Sequence, residues 1–564
     1  MYQIKSTCSG CHTCELVCPR QAIYYNGPRY KINHEKCVEC GLCDKVCPTC
    51  SVYNTEKEEK IVAHDLMIRE CDVVVCGGGS GIVSAIKLAQ EGKKVILLEK
   101  AKRVGGNTDM AHGFFPIYTK LHEENNVEDV REEAVEVLSK RTEGVVSEEI
   151  FETAVYGCSE FFDWLLEFEG TRDVFKLEVF GEKRTQGPLY GPAVVGFPKR
   201  IENLASKDPS IGPGWGGTFV KNTMLKAIVE QKLDVEILLE HEAYELLTKE
   251  DGSILGVLAK DKGGETKILC DNVILATGGF GSSDEKLQKY ANFFDVDRYV
   301  HRFSVPSDTG DAIDMLQKLG VEPNPERMFV SMFGPAHHPY NYSLYRVLDH
   351  PSCLSVDLNG KRWQDETGGL FMGRFNIVGH PKEATWGIFT QKNIDDIIYT
   401  YLSDVTLADE YNCYESYQED LDNEANYKEA PVVKADSIKE LAFKTGLDYN
   451  TLKETVSSYN VYCAKKEDEE FKKSPEHLRP REKGPYYAIY GQRFSEAAMG
   501  GVMVNEKCEV LRNDNTVIKG LYGVGDTTSA MHRKDELAVI SELTWAFASA
   551  YRSAINILNE REGK

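Results

Sequence analysis

The stretch from Cys71 to Glu99 reads CDVVVCGGGSGIVSAIKLAQEGKKVILLE and joins two apolar runs through a glycine-rich turn. The first run, residues 71–76, has the continuous apolar character of a strand buried on both faces of a parallel sheet. An apolar helix is predicted over 82–91, with Gly92 as its C-cap, and a second strand over 95–98 ends in Glu99. The segment therefore predicts a βαβ unit within an α/β fold.

The turn of this unit carries glycines where a phosphate group needs close access to the backbone. Gly77, Gly79 and Gly81 would let the chain approach a pyrophosphate at the helix N-terminus. Glu99 follows the first glycine by about 20 residues, the distance at which an acidic residue binds a ribose diol. The glycine spacing is one residue shorter than the usual G-x-G-x-x-G. The unit predicts dinucleotide binding with a tighter turn.

Two copies of C-x2-C-x2-C-x3-C-P precede this unit within the first 50 residues. Such a run is typical of bacterial two-cluster ferredoxins, in which three cysteines of one copy and the fourth of the other bind one [4Fe-4S] cluster. A pair of zinc knuckles is the alternative, although zinc requires neither the third cysteine step nor the Cys-Pro ending. The ferredoxin rule gives one ligand set as Cys8, Cys11, Cys14 and Cys47, and the other as Cys18, Cys37, Cys40 and Cys43. Cys50 lies outside both sets and is expected to be a buried thiol.

Length and charge restrict the remaining possibilities. A chain of 564 residues corresponds to about three or four domain-sized units. The net charge of −23 argues against nucleic acid or an anionic membrane surface as a partner. No apolar leader opens the sequence and no run of about 18 apolar residues occurs, so neither export nor a membrane span is expected. Thiolate ligands without a leader favour a reducing cytoplasm.

Changes in composition and the positions of the motifs predict four parts of the chain. These are a two-cluster ferredoxin domain at 1–55, a charged linker at 56–70, a dinucleotide-binding domain at 71–300 and 486–564, and a substrate or capping domain at 301–485. Helices are predicted over Ser437–Thr445, opened by a capping box with Glu440, and over Tyr449–Lys465. The acidic, tyrosine-rich segment from Ser403 to Glu429 is expected to be a surface insertion.

From Cys71 onward the chain resembles the FAD-binding flavoproteins of the fumarate reductase/succinate dehydrogenase superfamily, which has the 3-ketosteroid dehydrogenases among its relatives. The matching motifs beyond the glycine loop are Glu99-Lys100, Gly105-Gly106-Asn107-Thr108, Ala276-Thr277-Gly278-Gly279-Phe280-Gly281, Thr309-Gly310-Asp311, Asn359-Gly360-Lys361-Arg362, Met499-Gly500-Gly501-Val502 and Gly520 to Asp526. Their order and spacing carry the resemblance. It implies a Rossmann-like FAD-binding domain with a mobile α+β capping domain, here preceded by a small ferredoxin-like domain.

The resemblance also implies how FAD is held. Glu99 would bind the adenosine ribose, the segment 105–108 would run along the flavin, and Asp526 would bind the ribityl chain. Thr108 stands where many relatives carry the histidine that bonds covalently to FAD, so non-covalent FAD is expected. The residues expected to contact the cofactor are Gly77, Gly79, Ser80, Gly81, Glu99, Lys100, Gly105, Gly106, Asn107, Thr108, Ala276, Thr277, Gly278, Gly525 and Asp526.

The substrate positions depart from the fumarate reductases, which grip two carboxylates with histidines and arginines. Val305 and the segment 496–498 replace family histidines, and Glu536 stands roughly where a loop arginine binds substrate. Fumarate is therefore not the expected substrate.

Three residues are candidates for catalysis. Tyr487 is similar in place to a tyrosine that polarises the ketone in 3-ketosteroid dehydrogenases, although a packing tyrosine is the alternative. Arg374 falls loosely where the family's proton-donating arginine lies, or else forms a surface ion pair. His112 follows the flavin-contacting segment and either abuts the ring or caps a turn.

Taken together, the motifs predict a cytoplasmic, anaerobic reductase that carries FAD and two [4Fe-4S] clusters. Ferredoxin clusters, with reduction potentials of about −400 mV, pass single electrons. A flavin instead delivers a hydride from N5, here to an activated C=C bond such as that of an enone or enoate. A soluble electron carrier (a ferredoxin, a flavodoxin or an NADH-linked reductase) is the expected partner. A dehydrogenase working in the oxidative direction and an electron relay to a partner protein are the alternatives. The sequence leaves the oligomeric state open.

Overall fold

A computed structural model describes residues 1–561 apart from 9–12, 26–29, 57–60, 62, 112, 185–190, 197–215, 292–303, 336–346, 349, 367–383, 404–431, 529 and 532–541. In this part of the chain the strands are β1 (Tyr2–Ile4), β2 (Ile23–Tyr25), β3 (Tyr30–Ile32), β4 (Val52–Asn54), β5 (Met67–Glu70), β6 (Val73–Cys76), β7 (Val95–Glu99), β8 (Lys176–Arg184), β9 (Gly191–Gly196), β10 (Val235–Leu239), β11 (Glu242–Thr248), β12 (Ile254–Lys260), β13 (Glu265–Leu269), β14 (Asn272–Leu275), β15 (Met328–Pro335), β16 (Leu354–Val356), β17 (Ala384–Thr390), β18 (Val432–Ala435), β19 (Tyr486–Gly500), β20 (Glu509–Leu511) and β21 (Val517–Gly523).

The α-helices of the same part are α1 (Thr13–Leu16), α2 (Leu42–Val46), α3 (Gly81–Gln90), α4 (Lys120–Glu124), α5 (Arg131–Arg141), α6 (Glu148–Leu165), α7 (Gly216–Glu230), α8 (Asp284–Ala291), α9 (Asp311–Lys318), α10 (Gln391–Ser403), α11 (Ile438–Thr445), α12 (Tyr449–Lys465) and α13 (Glu542–Arg561). No helix among these residues combines the length and the apolar character needed to cross a bilayer.

The N-terminal module repeats one small unit twice. β1 pairs with β4 and β2 pairs with β3, both antiparallel. α1 and α2 each begin one residue before the third cysteine of their motif, at Cys14 and Cys43. Tyr2, Ile23 and Val52 form a small apolar core together with motif cysteines, as expected for a module of this size. The duplicated sequence is therefore a duplicated structure.

The dinucleotide-binding part is a six-stranded sheet in the order β10-β7-β6-β14-β21-β20. The first five strands run parallel, and β20 closes one edge in the antiparallel direction. Every residue of β6, β7 and β14 is buried, which explains why these strands are apolar except for Glu99 at the end of β7 and Asn272 at the start of β14. Helix α3 lies between β6 and β7 in the chain, so the predicted βαβ unit is confirmed; β6 begins two residues later than predicted, and α3 begins and ends one residue earlier.

Long helices cover this sheet. α13 packs against α3 and α6, and the rings of Phe161 and Phe547 stack with their centroids 4.9 Å apart. Phe114 meets Phe547 edge-on at 5.2 Å. Fully buried aromatic pairs of this kind add about 0.5–1.5 kcal/mol beyond the area that they remove from water.

The second half of the predicted linker is part of the body. β5 pairs in parallel with β13 at the edge of a four-stranded sheet ordered β11-β12-β13-β5. His64, just before β5, binds the Asp261 carboxylate through Nε2 at 3.0 Å. The last four residues of the predicted linker, 67–70, form a strand whose partner lies about 200 residues further along the chain.

A second large sheet has the order β15-β19-β17-β16, with β18 also paired to β19. The predicted helices α11 and α12 pack on it, and both are confirmed. At the start of α11 the Glu440 N–H donates to Ser437 Oγ at 3.2 Å, whereas the Glu440 carboxylate accepts from Asp436 and not from the cap residue itself. The proposed surface insertion lies almost wholly outside the described residues.

β19 is the central strand of this second sheet and pairs with β15, β17 and β18. Its register favours a domain boundary after Gly500 over the predicted one at residue 485. The domain limits as a whole stay a prediction.

Candidate active site

The glycine loop after β6 comes so close to its neighbours that side chains would not fit. Gly77 has φ +109°, and a Cβ there would lie 2.1 Å from the Ala276 carbonyl oxygen. A Cβ on Gly81 would lie 2.7 Å from Val75 Cγ1, so this glycine allows α3 to pack on the sheet. Ser80 caps α3 without a side-chain hydrogen bond. The shortened motif thus keeps both the tight turn and the close helix–strand contact.

Glu99 ends β7 as a buried carboxylate that holds two loops. Its Oε2 accepts from the Gly78 N–H at 3.0 Å, and its Oε1 accepts from the Ala101 N–H at 2.8 Å. Burial raises the pKa of Glu99, and the two backbone N–H groups oppose that rise. The carboxylate lies beside the glycine loop at the C-terminal edge of the parallel sheet, where a ribose diol is bound in this class of fold.

The segment after Glu99 continues along the same edge. Gly105 and Gly106 have φ +133° and +54°, and a short 3-10 helix over Gly106–Met110 follows. The Asn107 amide donates to Asp308 Oδ2 at 3.1 Å and accepts from the Val305 N–H at 2.8 Å. Val305 stands at a position where the fumarate reductases carry histidine, so the amide ties the predicted flavin segment to a substrate position.

Asp308 is a site residue that the sequence analysis did not single out. Its Oδ2 also accepts from the Gly281 N–H at 3.1 Å and from the Ser304 hydroxyl. Its Oδ1 is buried without a hydrogen-bond partner in the described structure. Burial raises the pKa of Asp308, and the groups donating to Oδ2 oppose that rise. The only signal in the sequence was its place one residue before the Thr309-Gly310-Asp311 motif.

Lys100 makes its polar contacts with the protein. The ammonium lies 2.7 Å from Asp311 Oδ2 and 2.6 Å from Thr309 Oγ1. It thereby fixes the start of α9 against the end of β7. Its role in binding the cofactor stays a prediction.

Asp526 lies in a short 3-10 helix after β21. Burial, together with the nearby carboxylates of Asp308 and Glu542, raises the pKa of Asp526 to about 8. Gly525, with φ +61°, donates its N–H to Ser549 Oγ at 3.0 Å, and a Cβ there would lie 2.8 Å from Ser80 Oγ. The Asp526 segment therefore meets the glycine loop of α3.

The remaining predicted contacts close this edge. Thr277 Oγ1 lies 3.5 Å from Thr527 Oγ1. A Cβ on Gly278 (φ +78°) would lie 2.8 Å from Asp308 Oδ1, and a Cβ on Gly79 would lie 2.9 Å from Thr108 Oγ1. Glycine backbone, a helix N-terminus and carboxylates at the strand ends suit a pyrophosphate flanked by two polyols, so these residues fit FAD.

The described cysteines of the N-terminal module also fit their cofactors. Cys18, Cys37, Cys40 and Cys43 line a single cleft, and they are the four ligands predicted for the second cluster. No three His, Cys, Asp or Glu side chains in the described residues converge tightly enough for a single metal ion; these four surround the cleft instead. Burial raises the pKa of Cys43 to about 12 in the metal-free chain.

The other predicted set is more enclosed. Cys14 and Cys47 are buried and Cys8 is half-buried, whereas Cys11 lies outside the described residues. Cys47 Sγ accepts from the Ser51 N–H at 3.2 Å, and Cys18 Sγ accepts from the Ala22 N–H at 3.2 Å. Each Cys-Pro thus has the same N–H···S bond four residues on.

Tyr487 does not lie with the cofactor-binding residues. Its buried hydroxyl donates to Gln391 Oε1 at 2.7 Å, within the second sheet and its helix α10. The other end of β19 reaches the FAD edge, where Ala498 O accepts from the Phe280 N–H at 2.7 Å. The contact of Tyr487 with Gln391 agrees with the alternative of a packing tyrosine, and the catalytic role of Tyr487 stays a prediction. His112 and Arg374 lie outside the described residues, and their roles stay predictions.

Comparisons with known proteins agree with this geometry. A family model described as FAD binding domain matches residues 72–541, and a model described as 4Fe-4S dicluster domain matches residues 7–51. The chain belongs to this family of FAD-binding flavoproteins, joined to a dicluster ferredoxin domain. FAD and two [4Fe-4S] clusters are its cofactors, and the assignment to the fumarate reductase-like superfamily is confirmed.

Two relatives and one solved structure illustrate the similarity. NADH:acrylate oxidoreductase of Vibrio harveyi is 26% identical over 511 residues, which cover 82% of this chain and 48% of that protein, so the chain spans about half its length. Vinyl phenol reductase of Lactiplantibacillus plantarum is 24% identical over 486 residues, covering 82% of this chain and 90% of that protein. An open-conformation flavocytochrome c3 fumarate reductase is 22% identical with a TM-score of 0.61, covering 87% of this chain and 79% of that chain, and confirms the fold.

Gly77→Ala is expected to abolish FAD binding, because the added methyl group would collide with the Ala276 carbonyl and force the loop apart. The matched control is Gly92→Ala at the other end of α3. Gly92 has φ +78° but nothing within 4 Å of an added Cβ, so it should lose only about 1–2 kcal/mol of stability and keep its flavin. Flavin absorbance per chain after purification measures both variants; full occupancy in Gly77→Ala would contradict the assignment.

Asp526 should give the FAD-free protein a pH-dependent stability. Its folded pKa, about 8, lies above its ordinary value near 3.8, so between those values the folded chain binds one more proton than the unfolded chain. The free energy of unfolding then falls by up to about 1.4 kcal/mol per pH unit as the pH rises from 4 to 8. Denaturation of Asp526→Asn at pH 5 and pH 7.5 should show a slope smaller by that amount, and an unchanged slope would exclude the effect.

Tyr487→Phe is expected to lower the free energy of unfolding by about 0.5–1.5 kcal/mol, because the hydrogen bond from the Tyr487 hydroxyl to the half-buried Gln391 is lost. Turnover should be unchanged at temperatures where the variant is folded. Denaturant titration and steady-state rates measure the two effects. A large fall in turnover with unchanged stability would support a catalytic role for Tyr487.

Proposed function

We propose that this protein reduces an activated alkene, an enone or an enoate, with electrons from a one-electron carrier. The observation that supports this most is the union in one chain of an FAD site and a dicluster domain. The dicluster domain contacts the body at the loop that leaves Glu99: Arg103 Nη1 donates to the Lys45 carbonyl at 2.7 Å. Acrylate and vinyl phenol, the substrates named for two relatives, both contain a C=C bond.

The reaction balances as one C=C bond, two electrons and two protons giving one CH–CH unit. FAD, when bound, supplies the conversion from single electrons to a hydride delivered at N5. The protein side chains fix the cofactor, exclude water and provide the second proton. For that proton Arg374 is the candidate from the sequence.

The substrate class follows from what the site lacks. Val305 holds Asn107 through its backbone N–H and offers an apolar side chain where fumarate reductases carry an imidazole. Position 498 is likewise a buried alanine. A second carboxylate would find no cationic partner at these two positions, so the proposal favours alkenes with one activating carbonyl group over fumarate.

The test uses the full chain, purified anaerobically and reduced with a low-potential viologen dye. We expect reoxidation by enones or mono-enoates with two dye radicals consumed per alkene, and slower reoxidation by fumarate. Reoxidation by no member of a broad panel would overturn the proposal and favour the relay. Faster reduction of the dye by a saturated ketone than oxidation by the enone would favour the dehydrogenase.

Two cysteine variants test whether the electrons reach FAD through the clusters. Cys47→Ser should lose iron and dye-driven turnover, since Cys47 belongs to the predicted ligand set. Cys463→Ser, at a half-buried thiol on α12 outside both motifs, should keep both. Equal activity of the two variants would show that the clusters do not supply the electrons.

A further inference from the structure

The loop between Glu99 and Gly105 makes a specific contact with the ferredoxin module. The Arg103 guanidinium donates through Nη1 to the Lys45 carbonyl at 2.7 Å and through Nη2 to the Val46 carbonyl at 3.1 Å. These two carbonyls end helix α2, immediately before Cys47. A cation at a helix C-terminus satisfies carbonyls that have no partner within the helix.

A second contact lies four residues along the module. The Lys102 backbone N–H donates to the Cys50 thiol, and the charges of Arg103 and Glu99 act on the same thiol. Cys50 has φ +49°, and its backbone N–H donates to the Cys47 carbonyl at 3.1 Å. Lys102 and Arg103, two consecutive residues of the FAD-binding domain, thus both contact the turn that carries Cys47 and Cys50.

The two ligand sets differ in what surrounds them. We call Cys8, Cys11, Cys14 and Cys47 the inner set, and Cys18, Cys37, Cys40 and Cys43 the outer set. Cys47 of the inner set is buried and lies next to the residues that Arg103 contacts. In the outer set Cys40 is exposed and Cys37 is half-buried, and the Val38 side chain between them is 57% exposed.

We propose that Arg103 is a positioning residue with two effects. It holds the inner set against the FAD-binding domain, and it places a positive charge beside the cluster bound there, which raises the reduction potential of that cluster. Charge and hydrogen bonds near an iron–sulfur cluster set its potential, because reduction makes the cluster more negative. The outer set remains as the face for an external one-electron carrier. This proposal rests on the proposed function.

Two exposed charged side chains lie next to the outer set: Arg20 lines its cleft, and the Glu39 carboxylate lies 3.8 Å from the Met1 ammonium. Glu39 donates its backbone N–H to Cys37 Sγ at 3.4 Å and carries an exposed carboxylate. A negative charge there lowers the potential of the outer cluster, although solvent screens it more than it screens the half-buried Arg103. Glu39 and Arg103 therefore act in opposite directions on different clusters.

The test is an anaerobic potentiometric titration of the fully loaded protein, followed by electron paramagnetic resonance. Arg103→Gln should move one of the two cluster waves to lower potential and leave the other in place. Arg103→Lys keeps the positive charge but loses the hydrogen bonds to two carbonyls. The reduction potential of the affected cluster should then stay close to that of the unchanged protein. Arg172→Gln removes an exposed arginine paired with Glu124 and should move neither wave.

Glu39→Gln identifies the clusters. Glu39→Gln should raise the reduction potential of the cluster whose potential Arg103→Gln leaves unchanged. Both variants moving the same wave, or no shift in Arg103→Gln at full iron and flavin content, would overturn the proposal. The readout does not involve the alkene, so an inert substrate panel would refute the proposed function while these shifts remained.

Discussion

The buried carboxylate of Glu99 holds two loops at once, and the rest of the site is arranged around it. One oxygen binds the glycine loop through Gly78, and the other binds the following segment through Ala101. Without these donors a buried carboxylate would carry a desolvation cost of several kcal/mol. With them, the same side chain aligns the phosphate-binding backbone and the segment that leads to Arg103 and Gly105. The cofactor pocket and the contact with the ferredoxin module therefore share one anchor.

The βαβ unit could be predicted from the sequence because everything that determines it lies within 29 consecutive residues. The apolar runs, the glycines and the terminal glutamate are all local. The same holds for α12, where Asp448 caps the first turn by accepting from the Thr451 N–H at 2.8 Å. β5 could not be predicted in this way, because Met67-Ile68-Arg69-Glu70 becomes a strand only through β13.

The candidate site was predictable to the extent that motifs mark it. The glycines, Glu99 and Asp526 meet at one sheet edge as the resemblance implied. Asp308 was missed because its importance comes from contacts with Asn107 and Gly281, which are distant in sequence. For Tyr487 the contact with Gln391 agrees with the alternative of a packing tyrosine. The sequence could not choose between the two roles, because the partner is 96 residues away along the chain.

β5 has a consequence for how strongly the ferredoxin module must bind. The module ends at Asn54 in β4, and the chain is again part of a sheet at Met67. A connection of this length keeps the two surfaces at an effective concentration on the order of millimolar. The contact made by Arg103 and Lys102 acts within one chain, so it needs far less affinity than a contact that joins two separate proteins.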